Sequence, residues 1–290
     1  MKPAAFRYHV ATSTAEVVAL LAEHGEGGRI LAGGQSLVPL MNFRLAQPDD
    51  VIDINRVAEL DFIREEGGRI VVGALARQAA VERSADVRRR VPLLAAALAW
   101  VAHPPIRHRG TVVGSIAHAD PAAELPAVAL ALDAEVTLLG PDGARTLAAG
   151  DFFVGPFETA LRQGEFVTQV AFPFSAEGSG FGFAEFARRH GDFAIAGAAV
   201  TVTLDGGRVA DSRVVLCGVG PRPLRAPAAE ERLRGALPDT ALIVEAAEAA
   251  LQGVTPSGDI HGGSEYRIQV ARVQVREAIT AAVDRARGAR

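Results

Sequence analysis

Apolar positions in the first 140 residues follow two alternating periods. Ser13-Thr14-Ala15-Glu16 has the form of a capping box ahead of Val17, Leu20 and Leu21, which share one helical face, and Gly25 supplies the stop. Residues 29–32 form a short apolar run that enters Gly33-Gly34; a second apolar segment spans 37–45, and 51–54 reads as a strand. The alternation continues with a strand at 70–72 and an alanine-rich packed helix over 91–101, ended by Pro104-Pro105. A strand over 111–116, a helix from Pro121 or Ala122 through Leu132 and a strand at 135–139 follow. Pro141-Asp142-Gly143 is turn chemistry, and 165–172 closes the section as a strand.

Ser175, Gly178, Ser179, Gly180 and Gly182 surround little that can pack, so 175–182 reads as a boundary. The texture then changes. Residues 194–204 and 208–219 are strand-like and joined through Asp205-Gly206-Gly207, a hairpin signal, and helical segments follow near 228–234, 240–252 and 266–287. These patterns predict an α/β domain over 1–176 with subdomains of about 1–56 and 57–176, then a hairpin-plus-helices domain over 177–290.

Composition narrows the function classes. With 30 basic against 34 acidic residues the formal charge is −4, and no extended basic block offers a footprint for nucleic acid. The longest apolar run, residues 93–102, is about half of the roughly 20 residues that cross a bilayer. Residues 1–9 lack a continuous apolar h-region, which predicts a cytoplasmic protein. Cys217 is the only cysteine, so the chain cannot hold an iron-sulfur cluster on its own thiolates; within an apolar stretch it reads as a small buried hydrophobe.

Two glycine-containing turns carry candidate chemistry. Ala32-Gly33-Gly34-Gln35-Ser36 and Thr111-Val112-Val113-Gly114-Ser115 each offer consecutive backbone amides and a hydroxyl, the makings of a concave nest for phosphate oxygens. Two facing nests suit a diphosphate. A Rossmann fingerprint is excluded because Gly25, Gly27 and Gly28 end a helix and position 30 is isoleucine, and no P-loop is present. Gly34-Gln35-Ser36-Leu37-Val38 has valine where a nucleophile elbow needs glycine. His103, His108, His118, Asp120 and Glu124, with Arg107 and Arg109 between, allow three readings. They are a helix-capping loop, a hydrolytic metal site on His118, Asp120 and Glu124, or groups around a cofactor.

Several long motifs resemble one family. The run 32–41 followed by Asp53-Ile54-Asn55 is similar to the first flavin loop of the FAD-binding medium subunit of molybdenum hydroxylases, the carbon monoxide dehydrogenase and xanthine dehydrogenase relatives. His103-Pro104 through Thr111, Gly114-Ser115 and 117–126 resemble the second loop and its helix; 151–153, 188–194, 218–221 and 259–262 extend the match over essentially the whole chain. The resemblance implies an α+β chain, with an FAD-binding domain of two α/β subdomains (PCMH-type) and a smaller C-terminal domain of antiparallel strands and helices. It also implies that residues 32–36 and 111–115 hold the FAD diphosphate, that Glu124 contacts the sugar-like chain of the flavin, that Val167 lies in the strand passing the isoalloxazine and that Phe193 packs near the ring; the alternative for both Val167 and Phe193 is ordinary core. Implied partners are a small iron-sulfur subunit and a large molybdopterin subunit in a dimer of heterotrimers. The implied function is electron transfer from partner clusters through FAD to an external acceptor. A free-standing FAD oxidase of the same fold and the metal-dependent hydrolase are the alternatives.

The family usually has Gly-Gly-Ser where this chain has Val113-Gly114-Ser115. If that turn needs positive φ at its first position, a β-branched residue there costs about 1–3 kcal/mol, and Val113→Gly is expected to tighten FAD retention.

Overall fold

A computed structural model describes residues 1–288. Its first unit is a parallel sheet in the spatial order Arg7–Val10, Asp50–Asp53, Gly28–Leu31. Parallel neighbours require crossovers, and the helix Thr14–His24 supplies one. There Ser13 Oγ accepts from the Glu16 amide at 3.2 Å while the Glu16 carboxylate accepts from the Thr12 amide at 2.8 Å. Val17 and Leu21 bury against Ile52, and all three strands end along one edge of the sheet, at Val10, Leu31 and Asp53.

The second unit is an antiparallel sheet in the order Ile63–Glu66, Arg69–Gly73, Phe166–Pro173, Glu135–Gly140, Gly143–Ala148. Val136, Leu138, Val170 and Phe172 share a core with Leu93, Leu94 and Leu98 of the helix Pro92–Leu98, Ile116 of Val112–His118, and Leu125 and Val128 of Glu124–Ala131. Residues 111–116 are therefore not the strand that their β-branched content predicts. Thr111 Oγ1 accepts from the Gly114 amide at 2.9 Å and starts a helix, whose turn buries Val112, Val113 and Ile116 together. Packing and a good cap override β-propensity here.

The third unit is an antiparallel sheet in the order Ser179–Phe186, Ala196–Asp205, Arg208–Cys217, Leu224–Arg225. Ala199, Val215 and Cys217 face the core that contains the helix Glu124–Ala131, whereas Val200, Val214 and Leu216 face Val275, Ala278, Ile279 and Ala282 of the helix Ser264–Ala286. The glycines after Ser179 belong to a strand, not to a loop with nothing to pack. A Cβ on Gly180 would stand 2.0 Å from the Ala282 carbonyl oxygen and one on Gly182 1.9 Å from that of Ala278, so missing side chains let the long helix lie on the sheet. Asp205 pairs with Arg208 across Gly206 (φ 55°) and Gly207 (φ 80°), a two-residue hairpin of the type that demands left-handed residues.

Candidate functional site

The strand Gly28–Leu31 leads into the first glycine turn at the edge where the parallel strands end, the position at which open parallel sheets bind ligands. Gly34 has φ 71°, a conformation strained for any side chain. Asn55 Nδ2 donates to the Ala32 carbonyl at 2.9 Å. Because a trans peptide points its C=O and N–H in opposite directions, this bond turns the Gly33 amide away from Asn55. The amides of Gly33, Gly34, Gln35 and Ser36 find no acceptor among the described residues. Gln35 Nε2 closes the turn on the Gly33 carbonyl at 3.1 Å.

The second turn is the capped start of Val112–His118. Thr111 and Val113 present amides with no acceptor among the described residues, and Gly114 is held under Thr111 Oγ1, 2.6 Å from where its Cβ would stand. The two turns touch. A Cβ on Gly33 would stand 2.5 Å from the Arg109 carbonyl oxygen and 2.7 Å from Gly110 Cα, so the first turn sits directly against the approach to the second. Val113 lies inside a helix, is 2% exposed and has no left-handed backbone. The strained turn considered from sequence does not form, and the reason for expecting Val113→Gly to tighten FAD retention falls with it.

Glu124 opens the helix Glu124–Ala131 and is 4% exposed; burial pushes its carboxyl up to about 7, with Asp120 adding to the rise. It lies where the second and third units meet. Facing it from the third unit, Glu185 is also buried, has an Oε2 without a partner, and is pushed up to about 8 by burial and then by the negative charge of Glu124. Gly197 separates Glu185 from Cys217 in adjacent strands, and a Cβ there would stand 2.8 Å from the Cys217 sulfur. Burial raises that thiol well above its ordinary value, so it carries no thiolate chemistry. Val167 is 5% exposed and packs in the central core beside a register shift. Phe193 is 60% exposed, which excludes ordinary core; it borders a cavity of about 450 Å³ with Arg188, Asp192, His261 and Arg267.

His118, Asp120 and Glu124 do not converge to a shared ion position among the described residues. His9, His24 and Asp50 do, at the opposite end of the parallel strands, but both Asp50 oxygens already accept from the Arg7 guanidinium at 2.7 Å, and His9 Nε2 stands 2.7 Å from Oδ1. Asn55 and Arg109 stood within the quoted motifs, but sequence reasoning missed Arg77, which joins them. Arg77 Nη1 donates to the Arg109 carbonyl at 2.6 Å and Nη2 to Asn55 Oδ1 at 2.6 Å. No local pattern marks an arginine at a helix start for that task.

Comparison with known proteins decides the family. Residues 4–175 match the model of the FAD binding domain in molybdopterin dehydrogenase, and 181–282 match the CO dehydrogenase flavoprotein C-terminal domain. The chain belongs to this flavoprotein family. It is 45% identical to 6-hydroxypseudooxynicotine dehydrogenase complex subunit alpha of Paenarthrobacter nicotinovorans, covering 99% of this chain and 97% of that one. Identity to the carbon monoxide dehydrogenase medium chain of Hydrogenophaga pseudoflava is 39%, over 97% and 98% of the two chains. Among solved structures, carbon monoxide dehydrogenase from H. pseudoflava superposes with a TM-score of 0.96 at 41% identity over 98% and 99% of the chains. Quinoline 2-oxidoreductase from Pseudomonas putida 86 gives 0.94 at 38% identity over 100% and 99%. FAD is the cofactor of this flavoprotein family, and the relatives are subunits of oxidoreductase complexes. The residues present fit FAD: the two turns offer unpaired amides, and only a glycine at position 33 leaves them in contact. No helix among the described residues is long and apolar enough to cross a membrane.

Proposed function

We propose that this chain binds FAD across its two glycine turns and serves as the electron-transfer subunit of a heteromeric molybdenum hydroxylase. The observation that carries the reading is the contact of Gly33 with the Arg109 carbonyl and Gly110 Cα, which sets two groups of unpaired amides side by side. The amides of residues 33–36, with those of Thr111 and Val113, bind the diphosphate oxygens through charge-assisted hydrogen bonds worth about 1.5–3 kcal/mol each. Ser36 and Ser115 stand beside these turns as further donors. Glu124, at the start of its helix, accepts hydroxyl donors from the sugar-like chain; donors there favour the carboxylate and draw its raised pKa back down. Val167 closes the apolar side and Phe193 packs near the ring.

The isoalloxazine supplies the redox chemistry, taking up electrons from one carrier and passing them to another. The chain supplies binding, orientation and water exclusion, and no residue in it serves as a catalytic acid, base or nucleophile. Partners of this chain are a small iron-sulfur subunit and a large molybdopterin subunit in a dimer of heterotrimers in the cytoplasm. The relatives' names as subunits of complexes support a partnered role, and the single cysteine fits clusters carried elsewhere. The test is a visible absorption spectrum of the purified chain after incubation with FAD and gel filtration. Retained stoichiometric flavin is expected, with no reduction by organic substrates until partner subunits are added. A colourless protein overturns the reading, and substrate-driven bleaching by the chain alone replaces the subunit role with that of an independent oxidase.

A further inference from the structure

Arg77 joins two segments that the chain brings together from distant positions. It follows the strand Arg69–Gly73 and precedes the helix Gln78–Arg83, and its backbone bridges to Thr111 of the second turn. Its side chain makes no cap for its own helix. One arm of the guanidinium donates to the Arg109 carbonyl at 2.6 Å, the same oxygen that limits position 33. The other donates to Asn55 Oδ1 at 2.6 Å, and Asn55 Nδ2 in turn donates to the Ala32 carbonyl at 2.9 Å. Asn55 is itself fixed on Asp53 Oδ1, through its amide at 2.8 Å and its side chain at 2.6 Å. Ala32, Asn55, Arg77 and Arg109 thus form a continuous chain of polar contacts that runs from one turn to the other.

We propose that Arg77 is a positioning residue that fixes the span between the two turns and thereby selects a flavin carrying a diphosphate over one carrying a single phosphate. The inference rests on the FAD reading above. Its physical basis is the planar guanidinium, which serves two acceptors at a fixed angle as no flexible ammonium does. Each of the two carbonyls accepts from one of these donors, which draws off part of its negative charge beside the turns. A diphosphate has to meet both turns at once and needs their spacing held; a monophosphate seated in one turn does not.

The test uses the full chain stripped of flavin, with FAD and FMN titrated separately by flavin fluorescence into wild type, Arg77→Ala, Arg77→Lys and Asn55→Ala. The expected result for Arg77→Ala is a loss of FAD affinity of about tenfold or more, with FMN affinity changed by less than about threefold. The FAD-to-FMN preference then falls, and Arg77→Lys lies between the two because it reaches one acceptor only. Asn55→Ala breaks the same chain at another link and carries the test if Arg77→Ala does not fold; its expected signature is the same fall in preference. A preference unchanged from wild type, whether both affinities drop together or neither does, overturns the positioning role. Wild-type protein that binds no FAD overturns the underlying reading instead, so the two failures are distinct.

Discussion

Gly33→Ala is the sharpest perturbation of the proposed site because it adds one methyl group and nothing else. Gly33 is not in the left-handed region, so alanine brings no left-handed strain. The new Cβ would stand 2.5 Å from the Arg109 carbonyl oxygen and 2.7 Å from Gly110 Cα, where ordinary contact begins at 3.4 Å. The turns would have to part by 3.4 − 2.5 = 0.9 Å against the carbonyl and 3.4 − 2.7 = 0.7 Å against the α-carbon. Both neighbours are backbone, and Arg77 holds the carbonyl in place, so neither yields as a side-chain tip would. Overpacking of this kind costs about 1–3 kcal/mol of stability. A diphosphate that then loses two amide contacts gives up about 3–6 kcal/mol, roughly a hundredfold to ten-thousandfold in affinity. FAD titration by fluorescence at fixed ionic strength, with a thermal melt of each protein, measures both. Gly263→Ala, at a glycine that meets nothing within 4 Å, is the matched control. If Gly33→Ala binds FAD within about threefold of wild type, the facing-turn account of the cofactor site is wrong, because that affinity loss is its direct consequence.

Four further outcomes are expected. Thr111→Val removes the cap that Gly114 donates to; it should lower stability by about 1 kcal/mol and weaken FAD binding, read by melting and titration. Val113→Gly, in a helix and 2% exposed, should destabilise the chain by about 2–4 kcal/mol without tightening FAD retention on gel filtration. Glu185 is pushed up to about 8, so the fold favours its neutral acid while the unfolded chain releases that proton near 4.5; its contribution is complete below pH 4.5 and declines as pH rises toward 8. Glu185→Gln should therefore flatten the fall in stability across that window, by no more than about 5 kcal/mol, in chemical denaturation at a series of pH values. Exhaustive dialysis against a chelator should leave FAD affinity unchanged, and a loss of binding restored by a divalent ion would revive a metal role for His118, Asp120 and Glu124.

Elements whose patterns are local were legible in the chain. Ser13 through Glu16 announced the first helix, the Asp205-Gly206-Gly207 hairpin followed from its glycines, and the alternation of apolar runs pointed to five strands of the first two units but not to the edge strands Arg7–Val10, Ile63–Glu66 and Gly143–Ala148, whose exposed faces carry polar residues. The errors came where a distant partner decides conformation. Residues 111–116 carry β-branched side chains yet fold as a capped helix, because the core above the central sheet takes Val112, Val113 and Ile116 from one helical turn. Gly180 and Gly182 look like loop residues until the helix Ser264–Ala286, some hundred positions later in the chain, lies across them. The same limit applies at the candidate site. Motif spacing drew attention to the two turns, but the contact between Gly33 and Arg109, and the Arg77 bracket around it, depend on four segments meeting in space.

The electrostatics of the proposed site then follow from which donors the chain uses. A protein with formal charge −4 is a poor long-range attractor of a dinucleotide that is itself anionic. Backbone amides avoid this difficulty: they carry no net charge, act only at contact distance and are already oriented before the ligand arrives. The Arg77 guanidinium spends its donors on the Arg109 carbonyl and Asn55 instead of reaching into the turns. Binding built this way depends on the spacing of two rigid turns more than on attraction at a distance, so it should respond weakly to salt and strongly to a single added methyl group. A steep loss of FAD affinity with rising ionic strength, in titrations from low salt to several hundred millimolar, would mean that charged side chains and not the paired amides carry the diphosphate.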